Sequence, residues 1–257
     1  MKRIIYLSIL LLAATGMKAQ QDSLQILWIG NSYTYYNNLP ALVTQLAAEQ
    51  GLKLAPTRCL KGGQRFSGHW ESEQLQRALR KGGWDYIVMQ EQSSDPAQRT
   101  RDVVSKTYRY AHLIDSMALA HSPRAKVIFY MTWGHKDGNM QKTDDYALDR
   151  TYADMQARLR TTYLELAYEN HAWCSPVGLA WQEVRRKYPH IELYNKDKSH
   201  PSKAGTYLAA HCFLATLLQR PYVSHILFDL PQEDARRLQL EAQTAVFGNA
   251  EILGLNR

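Results

Sequence analysis

Residues 24–32 read LQILWIGNS, a short run of large apolar side chains that ends in a glycine, an asparagine and a serine. Such a run, bounded by a turn, is typical of a strand buried on both faces of a parallel sheet. We therefore predict a first strand over residues 24–29. A helix is predicted over residues 39–50, because apolar side chains recur there on one face, at Leu39, Leu42, Val43, Leu46 and Ala47.

The same alternation of apolar runs and amphipathic stretches continues to the end of the chain. Further strands are predicted over residues 52–60, 86–89, 126–132 and 172–177. Helices are predicted over residues 103–120 and 145–170, and after Pro201 and Pro231. We expect one domain over residues 20–257, an α/β fold in which about five parallel strands form the middle of a three-layer α/β/α sandwich.

The first 19 residues have the order of a secretory signal peptide. Lys2 and Arg3 precede an apolar run, and a small residue, Ala19, stands at the expected cleavage point. A membrane-spanning helix needs about 20 apolar residues, and this run is shorter. We predict that residues 1–19 are removed, and that the mature chain is periplasmic or secreted, with no membrane insertion after signal removal.

Charge and cysteine content disfavour two classes of protein. The formal net charge of +7 falls to +4 without the signal peptide, with 28 basic and 24 acidic residues, and no run of five like charges occurs. A balance this small disfavours a nucleic-acid partner. The cysteines, Cys59, Cys174 and Cys212, show no CxxC spacing and no histidine pair has HExxH spacing, so no metal site is predicted.

Ser32 follows the first predicted strand in the turn Gly30-Asn31-Ser32. Ligands of open α/β sheets bind beyond the carboxyl ends of the strands, so a serine there projects its hydroxyl toward the ligand crevice. A serine after a strand is also a common helix cap. Ser32 alone therefore leaves both a catalytic and a structural interpretation open.

A second candidate element, DKSHPS, occupies residues 197–202. A serine hydroxyl becomes nucleophilic when a base removes its proton, and that base needs an acceptor that fixes its tautomer. Asp197, three residues before His200, can serve as this acceptor and leave the Nε2 atom directed at the serine. The other interpretation is a surface loop with an incidental histidine, in which Ser202 caps the next helix.

Taken together, GNS after the first strand and DxxHP before a late helix resemble the first and last motifs of the SGNH or GDSL hydrolase superfamily. A Bacteroidetes-type group of that superfamily is similar over five stretches, ILWIGNSYT, IVMQEQSS, FYMTWG, PVGLAW and DKSHPSKAGTYLAA. The chain departs from the superfamily at Asn31, where an aspartate is usual. The resemblance implies a flavodoxin-like α/β/α fold, a Ser32-His200-Asp197 triad and no cofactor.

The resemblance also implies an oxyanion hole, the set of donors that holds the negative charge of the reaction intermediate. Its members are the backbone N–H groups of Ser32 and Gly63, with Gly62 as the alternative glycine. Superfamily members complete the hole with an asparagine amide, and this chain has glutamines in that region. We predict that Gln92, or alternatively Gln90, supplies the amide.

Trp133 and His135, which both follow the fourth predicted strand, are expected to face the crevice. Trp133 is a candidate platform for a sugar ring, although a tryptophan at a strand end is also a common packing residue. His135 is a candidate substrate contact; His200 is preferred as the base because, of these two histidines, only His200 has a carboxylate at supporting distance, three residues before it.

The expected function is that of an exported serine esterase that removes acetyl groups from carbohydrates, with a small-molecule or glycan ester as its partner. Two other functions are compatible with the same residues. One is a catalytically silent glycan-binding protein of the same fold, and the other is an acyltransferase that acts on glycans.

Overall fold

The computed structural model describes residues 23–139 and 146–256, and its centre is one five-stranded sheet. The strands are β1 (Leu24–Gly30), β2 (Leu54–Leu60), β3 (Tyr86–Met89), β4 (Lys126–Tyr130) and β5 (Trp173–Ser175). They pair in the order β2-β1-β3-β4-β5, and every pair is parallel. This is the flavodoxin-like order, and it confirms the predicted α/β/α fold.

Helices cover both faces of the sheet. They are α1 (Ser32–Tyr35), α2 (Leu39–Glu49), α3 (Phe66–Trp70), α4 (Glu73–Lys81), α5 (Thr100–Asp102), α6 (Arg109–His121), α7 (Tyr152–Glu169), α8 (Val177–Lys187), α9 (Lys203–Leu218) and α10 (Gln232–Phe247). Crossovers from β1 to β2 and from β3 to β4 run in opposite directions along the sheet. Because crossovers are right-handed, α2 and α6 lie on opposite faces. Helix α9 packs between α2 and α10, whereas α3 and α4 pack with α6.

The central position of β1 explains its sequence. Ile26, Leu27, Trp28 and Ile29 are all fully buried, because β1 has a strand on each side and helices above and below. The cysteines are also buried, and no disulfide links them within the part of the chain that the structure describes.

Several element boundaries differ from those predicted. The fifth strand ends at Ser175, because Pro176 has no N–H for the ladder and the unpredicted helix α8 begins at the next residue. Helix α7 begins at Tyr152, where the hydroxyl of Thr151 accepts a hydrogen bond from the N–H of Asp154. The predicted helix over residues 103–120 opens with a π-helical segment, Val103–Tyr108, before α6.

The predicted signal peptide, residues 1–19, lies outside the described residues. Over 23–139 and 146–256, no helix is both long enough and apolar enough to cross a membrane. The same residues contain no group of three or more His, Cys, Asp or Glu side chains that could hold a metal ion.

Candidate active site

The turn that carries Ser32 is built by the end of β1. The side chain of Asn31 accepts a hydrogen bond from the N–H of Tyr33 and thereby caps α1, while its amide donates to the carbonyl of Gln64. Gly30 permits a close approach, since a Cβ at this position would lie 2.6 Å from the Oε1 atom of Gln90. Ser32 is therefore the first residue of α1. Its N–H, at the start of the helix, has no acceptor among the described residues.

Ser32, His200 and Asp197 lie in one hydrogen-bonded chain. The Nε2 atom of His200 is 2.8 Å from the hydroxyl oxygen of Ser32, and its Nδ1 atom is 2.6 Å from Oδ2 of Asp197. The other carboxylate oxygen of Asp197 accepts hydrogen bonds from the N–H groups of Ser199 and His200. The structure thus brings together the three residues that the sequence placed in two distant segments.

The hydrogen bonds among these three residues favour the ionised form of the Asp197 carboxyl group. Partial burial acts to raise the pKa of Asp197, but the hydrogen bonds from Ser199 and His200 outweigh it and hold that pKa below its ordinary value. An ionised Asp197 accepts the Nδ1–H of His200, which leaves the Nε2 atom free to accept the proton of Ser32. The arrangement is that of a nucleophile and its general base.

The loop that follows β4 supports the turn of His200. The indole N–H of Trp133 donates to the carbonyl of Ser199 over 3.1 Å, and the N–H of Lys136 donates to the carbonyl of Lys198 over 2.8 Å. Lys198 itself adopts a left-handed conformation with φ of 62°. The turn is therefore held by contacts from another part of the chain as well as by its own hydrogen bonds.

Two tyrosines that the sequence analysis missed enclose the His200 ring. Tyr36 stacks on the imidazole with ring centres 4.3 Å apart and an interplanar angle of 13°. Tyr33 meets the same ring edge-on, and its hydroxyl lies 2.6 Å from that of Ser199. The two rings fix the orientation of the imidazole between Asp197 and Ser32. The only available signal was the run of aromatic residues directly after Ser32.

A small cavity of about 190 Å³ opens at Ser32 and contains the predicted oxyanion donors. Gly63 and Gln92 line it together with Ser32 and His200. Gly63 has a φ of 65°, and within the described chain its N–H, like that of Ser32, has no acceptor. Two backbone donors at one cavity can stabilise an oxyanion.

The two candidate glutamines have different surroundings. Gln90 is fully buried, and its Oε1 atom accepts from the N–H of Asn31 and the hydroxyl of Thr34, so this side chain supports the Ser32 turn from below. The Oε1 atom of Gln92 accepts from the N–H of Ser94 over 2.7 Å, and its amide N–H₂ group makes a long contact, 3.3 Å, with the hydroxyl of Ser93, which lines the cavity with it. This geometry favours Gln92 as the side-chain donor.

Trp133 and His135 differ in burial and in their access to a cavity. Trp133 is fully buried, with its ring stacked between Tyr33 at 4.7 Å and Trp181 at 3.8 Å. The prediction that Trp133 contacts substrate is wrong, because both faces of its ring are covered by protein. His135 is half-buried and lines a second cavity beside that of Ser32.

Glu91 is a buried carboxyl group next to the site that the sequence did not single out. Its Oε1 atom accepts hydrogen bonds from the N–H of Phe66 over 2.9 Å and from that of Gln92 over 2.7 Å. Burial raises the pKa of Glu91 to about 8 despite these bonds. Glu91 thus positions the segment that carries Gln92, and it does so largely as a neutral acid at pH 7.

The raised pKa predicts a pH-dependent effect of Glu91→Gln on stability. Because the folded protein holds this proton more tightly than the unfolded chain, the stabilisation is complete below the ordinary carboxyl pKa and is lost as pH rises through about 8. Glutamine keeps the acceptor oxygen and has no charge. We expect the free energy of unfolding of the variant to rise by about 5 kcal/mol relative to that of wild type between about pH 4 and pH 9. Urea unfolding across this range measures it; a constant difference between the two proteins would contradict the assignment.

Comparisons with known proteins give structural relatives only. No protein-family model matches the chain, and no curated protein matches its sequence. A proposed SGNH hydrolase from Slackia heliotrinireducens is similar at 27% identity with a TM-score of 0.61, over 76% of this chain and 100% of that one.

Two more distant solved structures share the fold. A DUF4886 family protein from Bacteroides uniformis is 18% identical, with a TM-score of 0.72, over 88% of this chain and 95% of that chain. A variant of Axe2, an acetyl xylan esterase from Geobacillus stearothermophilus, is 19% identical, with a TM-score of 0.51, over 78% of this chain and 97% of that chain.

Proposed function

Because the chain belongs to the SGNH hydrolase superfamily, we propose that it is a serine esterase that removes acetyl groups from carbohydrates. The observation that carries this proposal is the hydrogen-bonded chain Ser32-His200-Asp197, at 2.8 and 2.6 Å. A binding protein has no need of an imidazole aligned between a hydroxyl and a carboxylate, so the same geometry argues against a catalytically silent glycan-binding protein.

The reaction proceeds through an acyl-enzyme. His200 takes the proton of Ser32 as the serine oxygen attacks the ester carbonyl carbon, and Asp197 stabilises the imidazolium that forms. The backbone N–H groups of Ser32 and Gly63, with the Gln92 amide, hold the negative charge on the carbonyl oxygen. His200 then gives its proton to the departing alcohol oxygen. Water, deprotonated by the same imidazole, releases the acid and restores Ser32.

The size of the cavity at Ser32 supports a short acyl group. Its volume of about 190 Å³ is below the 300–1,000 Å³ that is usual for ligand pockets. The lining includes the polar side chains of Ser93 and Ser199. An acetyl group fits such a space, whereas a long acyl chain would lack an apolar wall. The likeness to an acetyl xylan esterase supports a carbohydrate as the alcohol part.

Export is the second part of the proposal. It is supported by the order of cationic, apolar and small residues in positions 1–19. Mass spectrometry of the protein recovered from its native host tests this part: the mature N-terminus is expected close to Ala19, and an intact N-terminus on a protein retained in the cytoplasm would contradict it.

A fluorophosphonate probe, which reacts only with activated serines, tests the proposed activity. We expect one adduct, located at Ser32 by mass spectrometry, that is absent in Ser32→Ala and present in the control Ser105→Ala, whose exposed hydroxyl lies outside the site. Acetate release from acetylated xylo-oligosaccharides should exceed hydrolysis of p-nitrophenyl palmitate.

Three outcomes separate the alternatives. A protein that binds glycans and takes up no probe would be a silent binder. Transfer of acetyl to an added sugar acceptor in preference to water would identify an acyltransferase. A preference for the palmitate ester would overturn the acetyl assignment.

A further inference from the structure

A second cavity, of about 450 Å³, adjoins the one at Ser32. Ser199 lines both cavities, and Ser93 of the smaller cavity is followed by Ser94 of the larger one. A substrate whose ester carbonyl sits at Ser32 can therefore continue into the larger space. We refer to this larger space as the His135 cavity.

The lining of the His135 cavity is polar throughout. Among the described residues it is formed by serine, histidine, aspartate, asparagine, lysine and glycine positions, and it contains no apolar side chain. An alkyl or aromatic alcohol would gain nothing by entering, because burial of apolar surface needs an apolar partner. A polyhydroxylated ring can instead replace its bonds to water with bonds to these side chains.

His135 is the side chain best suited to read a hydroxyl group. The loop holds it in place, since its N–H donates to the sulfur of Met155 and its Nε2 atom makes a long contact, 3.4 Å, with the hydroxyl of Ser93. Burial lowers the pKa of His135 below its ordinary value, which favours the neutral ring. A neutral imidazole has one donor and one acceptor nitrogen, which matches the donor and acceptor of a sugar hydroxyl.

The charges at the His135 cavity discriminate between sugars. Among the described residues that line it are two carboxylates, Asp137 and Asp197, and one lysine, Lys198, which is paired with Asp137 over 2.7 Å. These lining residues together carry one net negative charge. A sugar carboxylate placed here would meet like charge, whereas a neutral sugar would not.

We propose that the His135 cavity is the alcohol-side subsite, that it takes the ring of a neutral sugar, and that His135 is the residue that selects for a hydroxylated alcohol. This inference rests on the proposed function, because it assumes that the acyl group lies at Ser32. In the complex, a ring hydroxyl exchanges hydrogen bonds with His135 and Ser93 while the ester oxygen faces His200.

The test compares two esters of the same acid. One is a mono-O-acetylated methyl xyloside, and the other is p-nitrophenyl acetate, whose aromatic alcohol has no hydroxyl. The readout is the ratio of their kcat/KM values. His135→Leu should lower this ratio about tenfold, the loss expected for one hydrogen bond to substrate. His135→Gln, which keeps a donor and an acceptor, should restore part of it. His225→Leu, an exposed histidine outside the site, is the matched control and should match wild type.

Asp137→Asn tests the role of charge at the His135 cavity, and it also serves if His135→Leu fails to fold. Wild type should prefer the acetylated xyloside over an acetylated methyl glucuronoside, and Asp137→Asn should reduce this preference about fivefold. An unchanged ester ratio in a folded His135→Leu protein, or an unchanged sugar preference in Asp137→Asn, would overturn the subsite. If wild type hydrolyses neither ester, the esterase proposal itself fails and the subsite fails with it.

Discussion

His200→Ala is expected to lower kcat by about 10⁵- to 10⁶-fold on p-nitrophenyl acetate, with little change in the fold. The imidazole is the only base within reach of the Ser32 hydroxyl among the described residues, at 2.8 Å, and without it the serine stays protonated. The ring is partly exposed, so its removal leaves no large cavity in the core. Single-turnover kinetics and a circular dichroism spectrum measure the two parts of this expectation.

Two further variants make this test specific. His225→Ala, which removes an exposed imidazole far from Ser32 in the sequence, should keep wild-type kcat. The double variant Ser32→Ala, His200→Ala should be no slower than either single variant, because the two groups act as one unit. A folded His200→Ala protein that retains more than about one tenth of wild-type turnover would remove His200 from the mechanism.

Asp197→Asn is expected to lower kcat by about 10⁴-fold at neutral pH, and the surrounding hydrogen bonds give the reason. Two backbone N–H groups, those of Ser199 and His200, point at Oδ1 of Asp197. In the variant they orient the amide so that its oxygen stays on their side and its N–H₂ group faces the imidazole. The Nδ1 atom of His200 must then accept, the proton moves to Nε2, and the base can no longer take the proton of Ser32.

The pH profile of kcat for Asp197→Asn, from about pH 6 to pH 9, measures this loss. Asp229→Asn is the matched control, since Asp229 is an exposed carboxylate paired with Lys203. A loss smaller than about tenfold would mean that the second oxygen of Asp197, which contacts Nδ1 at 2.6 Å, does not set the tautomer.

The elements that were easiest to predict from the sequence are those whose environment is uniform. Strand β3 has the predicted bounds, and β1 extends only one residue further, because central strands of a parallel sheet are buried on both faces and read as continuous apolar runs. Helices α9 and α10 begin just after prolines, as predicted. Helix α8 was missed because its first residues, VGLAW, continue the apolar run of the fifth strand with only Pro176 between them.

The site was predictable only in part, for a physical reason that differs from residue to residue. Gln90 and Gln92 carry the same functional group, and their roles differ only because one side chain faces Asn31 across the sheet and the other reaches the cavity. Trp133 could not be identified as buried from its own position, since the rings that cover it come from Tyr33 and Trp181.

By itself, the sequence determined the local geometry of each motif. The turn at Ser32 follows from Gly30 and the capping side chain of Asn31, and the contact between Asp197 and His200 lies within three residues, so short-range stereochemistry decides both. Only the tertiary structure decided that these motifs meet. Ser32 and His200 are 168 residues apart, and the hydrogen bond between them exists because the parallel sheet delivers the end of β1 to the same edge as the turn before α9. Contacts of that range depend on the packing of the whole core, which no local pattern encodes.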